Sequence, residues 1–214
     1  TSIGVSIPYT VVEKIRFTNY VGTGAGIRSA ASTSNYTGVK FRLLFVHDVV
    51  FTTNNCEVHG FDLGASGNGG DIEECVVQNI VNNGTTNCTV IGIYAGSGQS
   101  HVRNCVVHRV HAATTVRGFY LSFTANAYNN IATDVVGATA TCYAGSPTGA
   151  GNISSDATAP GTNPIRNVTP SNVFKDVTAG SEDLRLKNGS VAIGNGADMS
   201  AYFTTDIQDK VWKI

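Results

Sequence analysis

The sequence predicts an all-β fold: a single-stranded parallel β-helix, or solenoid, with a C-terminal capping segment. A short apolar phrase recurs at intervals of about 26 to 34 residues, which is typical of stacked repeat architectures. A second phrase recurs in the same order, between the copies of the first. Turns rich in glycine and asparagine separate the phrases, and no segment keeps the 3.6-residue period of a helix over ten residues. Two or three short strands per winding therefore stack on one another.

The first phrase centres on a glycine that is flanked by alternating apolar and polar residues. Its clearest copies span residues 55–63, 87–95 and 113–121. Alternation over so few residues predicts a strand with one buried face. Paired strands lie about 4.7–4.9 Å apart, so equivalent residues of successive windings become vertical neighbours. The expected columns are Gly60, Gly92 and Gly118; Val58, Val90 and Val116; and Cys56, Cys88 and Thr114.

The second phrase is a short β-branched segment with a polar residue at one fixed place. Its copies span residues 15–20, 44–49, 75–80, 105–110 and 131–135. The polar residues are Asn19, Asp48, Asn79 and Asp134, and Arg109 breaks the series. Asn and Asp side chains bond backbone groups where a chain turns, so we expect a stacked ladder at a corner.

One elongated domain is expected, in three parts. Residues 1–144 contain the windings of the β-helix. Residues 145–172 are rich in Pro, Gly, Ser and Thr and are predicted to form a long surface loop. Residues 173–214 return to short apolar strands and are expected to close the C-terminal end. The first residues begin as though within a winding, so a neighbouring domain or partner is expected to cover the N-terminal end, where strand edges are open.

The closing segment resembles a known family. Residues 182–196 and 197–209 are similar to the last part of right-handed parallel β-helix proteins of the pectate-lyase-like superfamily, where a phrase F-x-L-x-x-G-S-P-A-I-x-x-G precedes T-D-I-x-G. Val191 stands where that family usually has Pro, and Asp209 where it has Gly. The resemblance implies a right-handed helix and an origin among phage structural proteins or bacterial surface proteins. Phage fibres and spikes of this fold often form homotrimers.

Composition excludes several classes of function. The 214 residues carry a formal net charge of −1, and only 14% of them are charged. There is no block of basic residues to hold phosphates, so nucleic acid is not an expected partner. No run of about 18 apolar residues occurs, so no membrane-spanning segment is expected. No cofactor is predicted.

Five cysteines occur, at positions 56, 75, 88, 105 and 142. None has the C-x-x-C spacing of a metal site, and most fall at inward positions of the repeat. Stacking would bring Cys75 above Cys105 and Cys56 above Cys88, within reach of a disulfide. Side chains that stack in parallel do not point at each other, however, so we expect free thiols that pack as small apolar groups.

Two polar groupings are candidates for sites of chemistry. Lyases of the pectate-lyase-like superfamily hold Ca²⁺ with clustered aspartates, and its hydrolases use closely set aspartates. Here the segment 71–74 supplies Asp71, Glu73 and Glu74, and Asp62 lies one strand earlier; we interpret it as a solvated corner. His47 and His108 share one repeat position but are separated by Gln78, too far apart for one metal ion, and are predicted to be surface residues. No catalytic residue and no metal site is predicted.

A column on another face is the candidate binding site. Counting the alternation from Ile93 and Phe119 predicts that Arg28, Asp62, Tyr94, Tyr120 and Tyr143 point outward, one above another. Phenol rings along a sheet can pack against sugar rings while their hydroxyls form hydrogen bonds. Outward tyrosine also simply suits β-strands.

The expected function is therefore that of a non-enzymatic structural or adhesion module of a phage virion or bacterial surface, which binds glycans through the tyrosine column. The expected location is the virion, the extracellular space or the cell surface. Expected partners are other subunits or domains of the same particle and surface polysaccharide, with a homotrimer as the implied assembly. The alternative is a polysaccharide lyase or glycoside hydrolase of the same superfamily.

Overall fold

A computed structural model of the protein describes residues 3–5, 11–13, 16–18, 27–29, 39–63, 70–96, 99–122 and 124–203, with side chains from Val39 onward. The fold is an all-β parallel solenoid, as the sequence predicts. Three six-stranded parallel sheets run along it, and the chain visits them in a fixed order that we call A, B and C. The described residues contain almost no helix.

Within the three parallel sheets, strands that pair are three places apart along the chain. Sheet A contains β1 (Ile3–Val5), β4 (Ile27–Ser29), β7 (Cys56–Asp62), β10 (Cys88–Ala95), β13 (Thr115–Leu121) and β16 (Thr139–Gly145). Sheet B contains β2 (Val11–Glu13), β5 (Val39–Arg42), β8 (Gly70–Glu73), β11 (His101–Arg103), β14 (Asn126–Tyr128) and β17 (Thr148–Ala150). Sheet C contains β3 (Arg16–Thr18), β6 (Phe45–Phe51), β9 (Val76–Asn82), β12 (Val106–Ala112), β15 (Ile131–Val136) and β18 (Ile153–Ser154).

The inward columns confirm the register that the repeat predicts. Val90 pairs with Val58 on one side and with Val116 on the other, and all three are fully buried. Cys88 pairs with Cys56, and the Thr114 hydroxyl donates to the Cys88 carbonyl. Burying one Val or Phe side chain stabilises a fold by roughly 1.5–3 kcal/mol. Each winding adds several such residues to one continuous core.

The repeated glycine has a steric cause, seen best at Gly92. A β-carbon at this position would lie 2.6 Å from the Gly118 carbonyl oxygen and 2.6 Å from Cγ1 of Val107 on sheet C. Glycine therefore lets sheet A approach sheet C across the core.

The predicted polar ladder lies inside the strands of sheet C, where it bends each one. Asp48, Asn79, Arg109 and Asp134 all have φ between 53° and 56°. Asn and Asp accept this left-handed conformation more readily than most residues. Asn79 Nδ2 donates to Asp48 Oδ1 at 2.7 Å, so the ladder also links windings. Arg109 keeps the conformation although its side chain differs; Asn19 lies outside the described residues.

Residues 145–172 differ from the expected surface loop. They contain β17 and β18, and the segment 155–160 then covers the open edge of β16. Asp156 Oδ2 accepts a hydrogen bond from the Cys142 backbone N–H at 2.8 Å, and Thr158 Oγ1 accepts one from the Tyr143 backbone N–H at 2.9 Å. Short polar side chains are frequent in loop-like sequences, and here they satisfy backbone N–H groups at the unpaired edge of the strand.

The described part of the C-terminal segment, residues 173–203, packs against the sides of the solenoid rather than over its end. A 3₁₀ turn at Pro170–Asn172 leads into β19 (Phe174–Asp176), which pairs antiparallel with β20 (Asp183–Leu186). We call residues 173–187 the C-terminal hairpin. It lies on the outer face of sheet C, and the chain then runs to sheet B, where Ala197 exchanges two hydrogen bonds with Asn129 at 2.6 and 2.8 Å. The T-D-I phrase lies outside the described residues.

Candidate functional site

The candidate site is the outer face of sheet A, on both sides of the glycine column. Register places Ile91 between His59 and Arg117, and Tyr94 between Asp62 and Tyr120. Val90 and Ile93 both belong to the buried core, so the alternation shifts at Gly92. The residue before the glycine and the second residue after it therefore lie on the outer face. We call His59, Asp62, Tyr94, Arg117 and Tyr120 the aromatic stripe.

The rings of the stripe stack on one another along the solenoid. His59 and Tyr94 have centroids 4.8 Å apart and planes 20° apart, and Tyr94 and Tyr120 have centroids 5.3 Å apart and planes 23° apart. Because β10 lies between β7 and β13, both faces of the Tyr94 ring are covered. The stripe therefore presents ring edges and hydroxyls to a ligand. The packing of phenol rings against sugar rings that the sequence suggests would need exposed ring faces instead.

The two ends of the stripe differ in charge. At one end, His59 Nε2 lies 2.7 Å from Glu57 Oε1, and His59 Nδ1 lies 3.0 Å from Asp62 Oδ2. At the other end, the guanidinium carbon of Arg117 lies 4.4 Å from the centroid of the Tyr120 ring, a cation–π contact. Burial and the neighbouring Tyr120 raise the pKa of Tyr94, so its hydroxyl stays protonated at neutral pH.

The structure brings three of the five predicted site residues together. Asp62, Tyr94 and Tyr120 share one column, although Asp62 is only 2% exposed. The backbone of Arg28 pairs with Asp62 in register, but its side chain lies outside the described residues. Carbohydrate binding by this column stays a prediction.

The expectation that Tyr143 points outward is wrong. Tyr143 pairs with Phe119, stacks on its ring at 4.8 Å and donates its hydroxyl to the Asn130 carbonyl at 2.7 Å. Ala144 takes the place beside Tyr120 instead. The last repeat is one residue out of the assumed alignment, and a slip of one residue moves a side chain to the other face.

The acidic segment 71–74 is a covered network of ion pairs rather than a solvated corner. Glu73 lies 2.9 Å from Lys40 Nζ and 2.7 Å from Arg103 Nη1, and it is 3% exposed. Asp71 lies 2.9 Å from His101 Nδ1. These residues alternate in charge across sheet B, and the Tyr202 ring covers Arg103 at 4.4 Å. The carboxylates are therefore held by cations of neighbouring windings.

The histidines and cysteines that the repeat aligns lie inside the structure. His47 and His108 are buried, not surface residues. Phe174 of the C-terminal hairpin packs against His108, whereas the His47 ring stacks on Phe45 with centroids 4.3 Å apart. All five cysteines are free, as expected. Burial raises the pKa of Cys142 to about 11 and that of Cys105 well above its usual value, so both remain thiols at neutral pH.

Two kinds of feature are absent from the described part of the chain. No group of three or more His, Cys, Asp or Glu side chains there is arranged to hold a metal ion. No described helix has the length and apolar character needed to span a bilayer.

Comparison with known proteins adds no relative. No protein-family model matches the chain, and no curated protein or solved structure shows significant similarity to it.

Proposed function

We propose that this protein is a structural or adhesion module of a phage virion or bacterial surface, and that it binds glycans weakly through the aromatic stripe. The proposal includes membership of the pectate-lyase-like superfamily, for which the support is the stacked parallel fold together with the closing phrase at residues 182–196. Other subunits of the same particle would be its permanent partners.

The observation that carries the proposal is the difference between the three faces. The chain's own C-terminal segment covers sheet C with the hairpin and reaches sheet B through Tyr202. No described hydrogen bond or ring contact joins residues 173–203 to the outer face of sheet A. On that face Tyr94, Arg117 and Tyr120 remain partly exposed, and their hydroxyl and guanidinium groups suit a polyhydroxylated ligand.

The hydroxyl groups of Tyr94 and Tyr120 and the guanidinium of Arg117 would hold such a ligand by hydrogen bonds. Tyr94 and Tyr120 can each donate and accept a hydrogen bond. Arg117 can donate from a planar fork whose position is set by the Tyr120 ring. Each hydrogen bond contributes about 0.5–1.5 kcal/mol net, so a single module binds weakly. Several copies on one particle would raise the avidity.

The test is binding to a panel of bacterial surface glycans, measured with the protein displayed in several copies on a bead. We expect Tyr120→Ala and Arg117→Met to reduce retention by about tenfold, the loss of one or two hydrogen bonds. Tyr128→Ala is the matched control, because Tyr128 lies on sheet B at the place that pairs with Arg103. Equal retention of all three variants, or no retention of the wild type, would remove the glycan-binding part of the proposal.

The lyase or hydrolase alternative gains no support from the site geometry. Its candidate acids, Asp71, Glu73 and Glu74, each lie in an ion pair with a Lys or Arg side chain of a neighbouring winding. New reducing ends or unsaturated products from the same glycan panel would revive it. Detection of the chain in purified particles, by mass spectrometry, tests the structural role separately from glycan binding.

A further inference from the structure

We propose that the C-terminal hairpin is a clamp on sheet C that loosens on mild acidification, with His108 as the residue that senses the pH. This inference does not depend on glycan binding. It concerns the covered face of the solenoid, and it stands on how the hairpin buries a histidine that would otherwise face water.

The clamp has an apolar half. Val173 and Phe174 of the hairpin pack with Ile131 and Ile153, which belong to the outer face of sheet C. Phe174 is 1% exposed, and its ring meets His108 edge-on with centroids 5.8 Å apart. Release of the hairpin would therefore expose an apolar strip and the imidazole together.

The clamp also has a polar half, centred on Arg109. Arg109 Nη2 donates to the Val177 carbonyl at 3.2 Å, and its Nε lies 3.4 Å from Glu182 Oε1 on the hairpin. The same Nε lies 3.5 Å from Asp134 Oδ2 of the next winding. The arginine stands where neighbouring windings have Asp or Asn, so the break in the polar ladder coincides with the place where the hairpin attaches.

His108 lies between these halves in a setting that suits only its neutral form. Its Nδ1 lies 2.8 Å from the Thr133 hydroxyl, while its buried Nε2 has no hydrogen-bond partner among the described residues. A protonated ring would need acceptors at both nitrogens. The charged or titratable groups around it are Arg109 and His111 on β12, Asp134 on β15 and Glu182 on the hairpin, with neutral Gln78 beside it on β9.

The sign of the pH effect follows from burial. Burial lowers the pKa of His108 below its ordinary value of 6.5, and the neighbouring Arg109 and His111 act in the same direction, whereas Asp134 and Glu182 oppose them. In the released form the ring is hydrated and its pKa returns toward 6.5. The released form therefore binds more protons, and the clamp weakens as the pH falls below about 6.5. His111 lowers the pKa of Asp134, which stays ionised in this range.

Hydrogen exchange of the full chain, followed by mass spectrometry, measures the opening of the hairpin directly. Protection factors corrected for the intrinsic exchange rate are compared between about pH 7.5 and about pH 5.5, across the range where His108 titrates. We expect peptides covering residues 173–187 to lose protection by at least about threefold, with a limit of about tenfold per pH unit for one linked proton. Peptides from β10 and β13 should keep theirs.

Two variants identify the sensor. In His108→Gln the side chain copies Gln78, its neighbour in register, and cannot titrate; we expect the pH dependence of the hairpin peptides to vanish. His111→Gln, on the same strand, should retain it. Unchanged wild-type protection at the two pH values overturns the proposal, and so does a pH dependence that survives in His108→Gln.

Discussion

The outer faces of sheets A and C come from the same repeat but have opposite environments. On sheet A, Tyr94 and Tyr120 stack on each other and leave their edges in solvent. On sheet C, Ile131 and His108 occupy outward positions yet are buried beneath the hairpin. A stacked fold repeats its core in every winding, whereas the environment of each outer face depends on what the rest of the chain does.

This difference assigns different roles to the two faces. The covered face contributes to stability, because the hairpin adds a second apolar cluster outside the solenoid core. We expect the outer face of sheet A, where Tyr94 and Tyr120 are partly exposed, to contribute less to stability. Variants that remove one aromatic ring from each face test this division.

The largest effect is expected on the covered face, from Phe174→Ala. Truncation of a buried Phe costs about 3–5 kcal/mol through lost burial and the cavity that remains. Chemical denaturation should show a hairpin that opens before the solenoid, since the main core does not include Phe174. Leu186→Ala, on the partner strand of the hairpin but 38% exposed, is the control and should change little. Equal effects from the two substitutions would contradict a clamp built on Phe174.

The sequence could predict the windings but not which face would be covered. Alternation and turn residues are local, and they fix the inward columns such as Val58, Val90 and Val116. The route of the C-terminal segment depends on contacts distant in sequence. One signal was present: Val106, Ile131 and Ile153 are apolar at positions that alternation directs outward, which favours a second layer over that sheet.

The misplaced Tyr143 shows where pattern matching fails in a solenoid. Matching Tyr143 to Tyr120 by residue type ignores the rest of the strand. The preceding residues pair in register as Thr139 with Thr115, Ala140 with Val116 and Thr141 with Arg117. Cys142 therefore takes the glycine position. Side chains of sheet B were harder to anticipate. Its strands have only three or four residues, so no repeated phrase revealed that Lys40, Asp71 and His101 are neighbours in register.

An intermediate effect is expected on sheet B, from Arg103→Met. The substitution keeps the aliphatic bulk but removes one of the two cations that hold Glu73, while Lys40 remains. Loss of one partner from a buried pair costs up to about 3–5 kcal/mol, and the remaining lysine should reduce this to about 2 kcal/mol. Thermal unfolding measures the loss. Arg185→Met is the control, because its pair with Asp183 is exposed to solvent and should contribute little.

The smallest effect on stability is expected on the outer face of sheet A, from Tyr120→Ala. The variant loses one stacked ring and one cation–π contact, each worth about 0.5–1.5 kcal/mol at a partly exposed site, so the fold should persist. Its more specific consequence is electrostatic. Burial raises the pKa of Tyr94 and the adjacent Tyr120 raises it further, so removing Tyr120 should lower it toward its ordinary value of 10. Ultraviolet titration of the phenolates, with Tyr94→Phe to identify the signal, measures the shift. An unchanged Tyr94 pKa would mean that the two rings do not stack in solution, and the outer face of sheet A would then present ring faces to a ligand after all.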